Sequence, residues 1–155
     1  MKKKFLYSTL FLIILTSCGF KVVKQNQRNF DVVEVVTKGD ARINYYIKNK
    51  LYFNSGIADK QLIRIKLDSK KNKNIKERNI KNEITKYNIN LLVNIELEII
   101  RKTKSTRFVV TESGDYSVGN MNSITINNEK NLIKALSENI NSKIVDEITI
   151  RLNDL

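Results

Sequence analysis

The sequence predicts an α+β fold: a two-layer sandwich, two helices packed on one face of a four-stranded mixed sheet, in the order β-α-β-β-β-α. Three observations carry this expectation. Ile89, Leu91, Val93, Ile95, Leu97 and Ile99 fall on alternate positions, the period of a strand with one buried face. Ile133, Leu136, Ile140, Ile144, Ile148 and Leu152 recur every three or four residues, the stripe of a long amphipathic helix, widened by Leu132 and Val145. Ile43, Ile47 and Leu51 repeat that spacing in a shorter segment. A strand, a helix and a strand favour a right-handed crossover, and three successive strands favour hairpins. Two amphipathic helices then cover one face of the sheet.

The elements follow in chain order. Phe30 to Val36 (FDVVEVV) is β-branched and apolar, a first strand. Thr37-Lys38-Gly39-Asp40 is a turn that offers Thr37 or Asp40 as a helix cap. The first helix runs from Ala41 to about Phe53, and Asn54-Ser55-Gly56 stops it. Leu62 to Asp68 alternates, with Ile63, Ile65 and Leu67 on one side and Arg64, Lys66 and Asp68 on the other. Residues 69–81 (SKKNKNIKERNIK) are basic and poor in apolar residues, and read as a hairpin loop with ragged strand ends or as an anion-binding finger.

The strand over 89–99 has the most apolar residues on one face and is expected at the centre of the sheet. Arg101 to Ser105 is a basic turn, and Thr106 to Thr111 begins a further strand. Glu112-Ser113-Gly114-Asp115 reads as a bulge or turn, after which Tyr116 and Val118 resume the strand. Asn127 or Asn128 is the expected cap of the last helix, with Glu129 in its first turn and its end near Leu152.

Ahead of this domain stands a different kind of segment. Lys2, Lys3 and Lys4 form a basic head, Phe5 to Leu15 an apolar run, and Leu15-Thr16-Ser17-Cys18 closes it. The lysines stay with the anionic cytoplasmic leaflet while the apolar run enters the bilayer. That run is too short for a transmembrane span, which needs about 20 residues. A branched apolar residue and two small ones before a cysteine make a lipobox. Cys18 is the only cysteine in the chain and is the expected site of lipidation. The expected organisation is residues 1–17 as a lipoprotein signal peptide, 18–29 as an acylated N-terminus and tether, and 30–155 as a single domain.

The residue inventory narrows the chemistry. The chain has no histidine, and its one thiol is committed to lipid, so neither the commonest general base nor the commonest metal ligands are present. No phosphate-cradling loop, nucleophile elbow or metal-spaced cluster occurs. The expectation is a protein that is not an enzyme and has no catalytic residue, metal or cofactor. Packing alone must hold the fold, because one cysteine forms no internal disulfide.

The formal charge is +12, and loss of the three signal lysines leaves +9 on the 138 residues from Cys18. Such a balance suits anionic partners. Export makes nucleic acid an unsuitable partner and an anionic membrane component a suitable one. Richness in Lys, Asn and Ile without proline also fits an AT-rich coding bias, which accounts for part of the charge. Two basic clusters are candidate anion sites: Lys70, Lys71, Lys73, Lys76 and Arg78, and Arg101, Lys102, Lys104 and Arg107. They merge into one patch if both lie at the same end of the sheet.

Taken together, the lipobox and the element order resemble the LPS-assembly lipoprotein LptE family. The likeness is strongest at Cys18-Gly19-Phe20, at Tyr87 to Leu97 (YNINLLVNIEL), at Tyr116-Ser117-Val118 and at the helix ending Ile144-Val145-Asp146-Glu147-Ile148-Thr149-Ile150-Arg151-Leu152. It lies in pattern and order more than in identity. Where many relatives continue the CGF with a Pro-Leu type sequence, this chain has Lys21-Val22-Val23. The resemblance implies a non-enzymatic lipoprotein of the outer membrane facing the periplasm. It implies a partner, the LptD β-barrel, which such proteins plug and help to assemble, and a ligand, lipopolysaccharide. Lys70, Lys71, Lys73, Arg101, Lys102 and Lys104 would then face lipid A phosphates. The competing expectation is a small outer-membrane lipoprotein with a structural or accessory role in barrel assembly or transport.

Overall fold

A computed structural model of the chain describes residues 29–52, 60–100, 102 and 104–153. The signal segment, Cys18, the tether before residue 29, Asn54-Ser55-Gly56 and Arg101 lie outside the described residues. The element order is β1 (Phe30–Gly39), α1 (Ala41–Leu51), β2 (Gln61–Arg78), β3 (Ile84–Ile99), β4 (Lys104–Ser117) and α2 (Asn122–Asn153). The sheet order is β1-β2-β3-β4. β1 and β2 are parallel, joined across α1, whereas β2–β3 and β3–β4 are antiparallel. This is the α+β sandwich expected from the sequence, with β3 inside the sheet.

Register explains the single buried face. Ile63, Ile65 and Leu67 stand opposite Ile99, Leu97 and Ile95, and Phe108 and Val110 stand opposite Ile95 and Val93. All of these side chains are buried and form one cluster with Ile43, Ile47 and Leu51 of α1 and Ile133, Ile140, Ile144 and Ile148 of α2. The other face carries Arg64, Lys66, Asp68, Glu96, Glu98 and Arg107, so it stays open to water. Fully burying an aliphatic side chain is worth about 1.5–3 kcal/mol, and the two stripes converge on this one layer.

Local chemistry sets the joints. Asp40, not Thr37, caps α1: its carboxylate accepts from the backbone N–H groups of Arg42 and Ile43 at 3.0 and 3.1 Å. Gly39 has φ +92°, and a Cβ there would sit 1.9 Å from the Ser69 carbonyl oxygen. Only glycine fits that crossing.

Four boundaries differ from expectation. Thr37, Lys38 and Gly39 are not a turn but the end of β1, paired with Leu67, Asp68 and Ser69 of β2. Residues 69–78 are not a loop but the second half of β2, paired with β3 as far as Arg78 opposite Ile84. Their polar side chains find partners on both faces of an extended hairpin, so few apolar residues are needed. The turn is confined to Asn79–Glu83, where Asn79 Oδ1 accepts from the N–H groups of Lys81 and Glu83. Residues 112–115 are not a turn either; β4 runs through them in unbroken register with β3. Gly114 is there because α2 presses on the strand: a Cβ would stand 2.8 Å from Leu132 Cδ1. Finally, α2 begins at Asn122, about a turn before the expected caps.

Candidate functional site

Because β2 outruns β1, the molecule carries a three-stranded extension built from the second half of β2, the first half of β3 and the end of β4. The N-terminal part of α2 covers one side of it. Odd-numbered positions of β2 face the helix here, so Lys71 and Lys73 point under α2. Their ammonium groups reach the Glu129 carboxylate at 3.3 and 2.7 Å, and the Tyr116 hydroxyl donates to the same carboxylate at 2.8 Å. Tyr116 stacks on Tyr87 with centroids 5.5 Å apart. Lys73 lies 4.3 Å from the centre of the Tyr87 ring and 5.3 Å from that of Tyr116, within cation–π range.

The electrostatics follow from these contacts. Burial works to raise the Glu129 carboxyl, but the donors Lys73, Tyr116 and Lys71 outweigh it and hold the group at about 2. Burial likewise works against the Lys73 ammonium, and Glu129 and Tyr116 overcome it, leaving that group raised. Burial is the leading reason that the Tyr116 hydroxyl is raised. Glu129 is the only carboxylate between Asp115 and Glu138. That isolation was the available signal for its importance, which helix position alone did not reveal.

The open face carries two charge ladders. Arg64 bridges Glu34 at 2.6 Å and Glu98 at 3.1 Å. Glu96 receives Lys66 at 2.7 Å and Arg107 at 2.8 Å, and these two donors lower its carboxyl. Further out, Asp115 pairs with Lys76 and accepts from Asn88, which lowers it in turn. Beside the Glu96 ladder, on the side away from Arg64, lies a hollow of about 530 Å³ lined by Val36, Asp68, Asn94 and Val109. Among the described residues no group of three potential metal-ligating side chains occurs, and no helix is long and apolar enough to cross a membrane.

The candidate anion sites therefore divide. Lys70 is exposed on the open face and meets no carboxylate among the described residues. Lys71 and Lys73 are engaged by Glu129, and Lys76 by Asp115. Lys102, whose N–H bonds the Ile99 carbonyl, and Lys104 sit at the other end of the sheet. Lys104 is level with Ile99 and Ile63, seven to ten residues along β2 from Lys70 and Lys73. At about 3.3 Å per residue that is roughly 23–33 Å. The two clusters form separate surfaces, because successive hairpin turns lie at opposite ends of a sheet.

No protein-family model matches the chain, and no curated protein sequence matches it. Solved structures do. The rare lipoprotein B of Shewanella oneidensis is 11% identical with a TM-score of 0.52, the match covering 77% of this chain and 98% of that one. A putative lipoprotein from Caulobacter crescentus CB15 is 12% identical with a TM-score of 0.54, covering 83% and 93%. An uncharacterized lipoprotein B from Nitrosomonas europaea is 11% identical with a TM-score of 0.50, covering 87% and 93%. The class defined here is thus a fold: a two-layer α+β sandwich shared with bacterial lipoproteins. More particularly, it is the fold of the rare lipoprotein B structures, the LptE-like fold.

Proposed function

We propose that this chain is a non-enzymatic lipoprotein, anchored through Cys18 to the outer membrane and facing the periplasm. There it acts as plug and assembly partner of a β-barrel that transports lipopolysaccharide. The observation that carries the reading is the conjunction of a lipobox ending at Cys18 with a domain folded like the rare lipoprotein B structures. The residue inventory supports it, since catalysis would have to proceed without histidine or a free thiol.

Anion contact in this reading falls to Lys70 on one surface and to Lys102 and Lys104 on the other; Arg101, next to them in sequence, lies outside the described residues. Surface charges of this kind act over about 8–10 Å at physiological salt, so each cluster engages phosphates by itself.

The test has three arms. Intact-mass measurement of membrane-extracted protein should give a chain that starts at an acylated Cys18; a free thiol or another start refutes the anchor. Affinity purification from outer membranes should then recover a large β-barrel in stable complex, and recovery of none refutes the partner. Neutralising Lys70, Arg101, Lys102 and Lys104 together should weaken binding to lipopolysaccharide vesicles most at low salt. Unchanged binding would assign the charge to coding bias.

A further inference from the structure

The parallel ladder between β1 and β2 stops at Gly39 opposite Ser69. The left-handed Gly39 turns the chain away, and the Asp40 N–H closes the ladder on the Ser69 carbonyl at 3.1 Å. β2 continues for nine more residues, Lys70 to Arg78, bonded to β3 on its inner side only. No strand among the described residues pairs with its outer side. The register with β3 shifts between Ile75 and Arg78, so the regular part of this edge is residues 70–75, about 20 Å at 3.3 Å per residue, enough to pair with a short additional strand.

From this edge we infer a strand-addition site: residues 70–78 of β2 accept an extended, acidic segment of a partner protein as a fifth strand. Backbone groups would supply the affinity and side chains the selection. The selection is read from charge. Lys71 and Lys73 are held by Glu129, Lys76 by Asp115, and Glu77 by Lys86. Lys70 is left with no carboxylate among the described residues, and Arg78 reaches only the Asn82 carbonyl, at 2.8 Å. These two unspent cations stand at the two ends of the edge. Exposed Ile75 lies between them and provides an apolar contact.

The opposite edge of the sheet differs. β4 is as open in its backbone, but Arg107, Glu112 and Asp115 are already neutralised by Glu96, Lys143 and Lys76. Its one cation without a carboxylate among the described residues, Lys104, stands at one end only, so an incoming acidic strand meets charge at one end and not at both. The inference is independent of the barrel reading, because it names a backbone edge and a segment chemistry, not a transport role.

The test uses the full chain in detergent and a short, end-blocked peptide alternating glutamate with valine. Amide hydrogen exchange should slow within residues 70–78 on saturation and stay unchanged within β4. N-methylation of alternate peptide bonds should abolish binding. Changing Lys70→Glu and Arg78→Glu together should weaken it roughly tenfold, the scale of two exposed charge pairs. Three results would overturn the site: no slowing at residues 70–78, slowing at residues 104–117 instead, or equal binding of the N-methylated peptide, which would leave only diffuse charge attraction. Since the N-methyl control alters the peptide and not the protein, it decides the matter even if the double variant folds poorly.

Discussion

Lys73 Nζ stands 2.7 Å from a Glu129 carboxylate oxygen across 56 positions of chain, tying the extended half of β2 to the first third of α2. Around that contact Lys71, Tyr116 and Tyr87 close a mixed ionic and aromatic cluster where the aliphatic core thins out. It fixes how α2 lies on the extension, and so which residues of β2 are held internally and which remain outside.

Replacing Glu129 tests the weight of this cluster. The carboxyl is held at about 2, below its ordinary 4.5. Its contribution is therefore complete above the ordinary value and drains away as pH falls through the interval between the two. The linked stability is at most about 3 kcal/mol, and less after solvent screening of a partly exposed group. Glu129→Gln should lower the urea midpoint at pH 7, and the gap from the parent should narrow below about pH 4.5 and close only near pH 2. Parallel curves across that range would show that the carboxylate contributes nothing specific.

Gly39 and Gly114 should respond unequally to a methyl group. Gly39→Ala sets a Cβ against the Ser69 backbone in a left-handed conformation, a cost of roughly 3 kcal/mol or more. Gly114→Ala meets side-chain ends only, Leu132 Cδ1 at 2.8 Å and Leu136 Cδ2 at 3.4 Å, which can rotate, and should cost about 1 kcal/mol or less. Thermal melts of both variants check the order.

Removing the α1 cap has a smaller, local effect. Asp40→Ala frees the N–H groups of Arg42 and Ile43 and should destabilise by about 1 kcal/mol. Hydrogen exchange should quicken first at the start of α1.

Within the core, Ile144 is fully buried between α2 and the sheet. Ile144→Ala should cost about 2–5 kcal/mol by denaturant titration. Ile80 is wholly exposed at the tip of the β2–β3 turn, and Ile80→Ser should change stability by less than about 0.5 kcal/mol. Equal effects would contradict the burial pattern.

Periodicity alone determined the architecture. The alternation over 89–99, the stripes of α1 and α2 and the order of the elements specify one buried sheet face and two helices to cover it, because water sorts apolar from polar side chains at the period of the backbone. The lipobox at Cys18 is likewise a local pattern, complete in consecutive residues. Only the tertiary structure decided the rest. Lys71 and Lys73 look like loop cations until Glu129 arrives above them, and Gly114 looks like a turn until Leu132 rests on it. The two basic clusters look mergeable until strand register sends them to opposite ends of the sheet. Each of these depends on which distant residue becomes a neighbour, and a polar side chain carries no period that announces its partner.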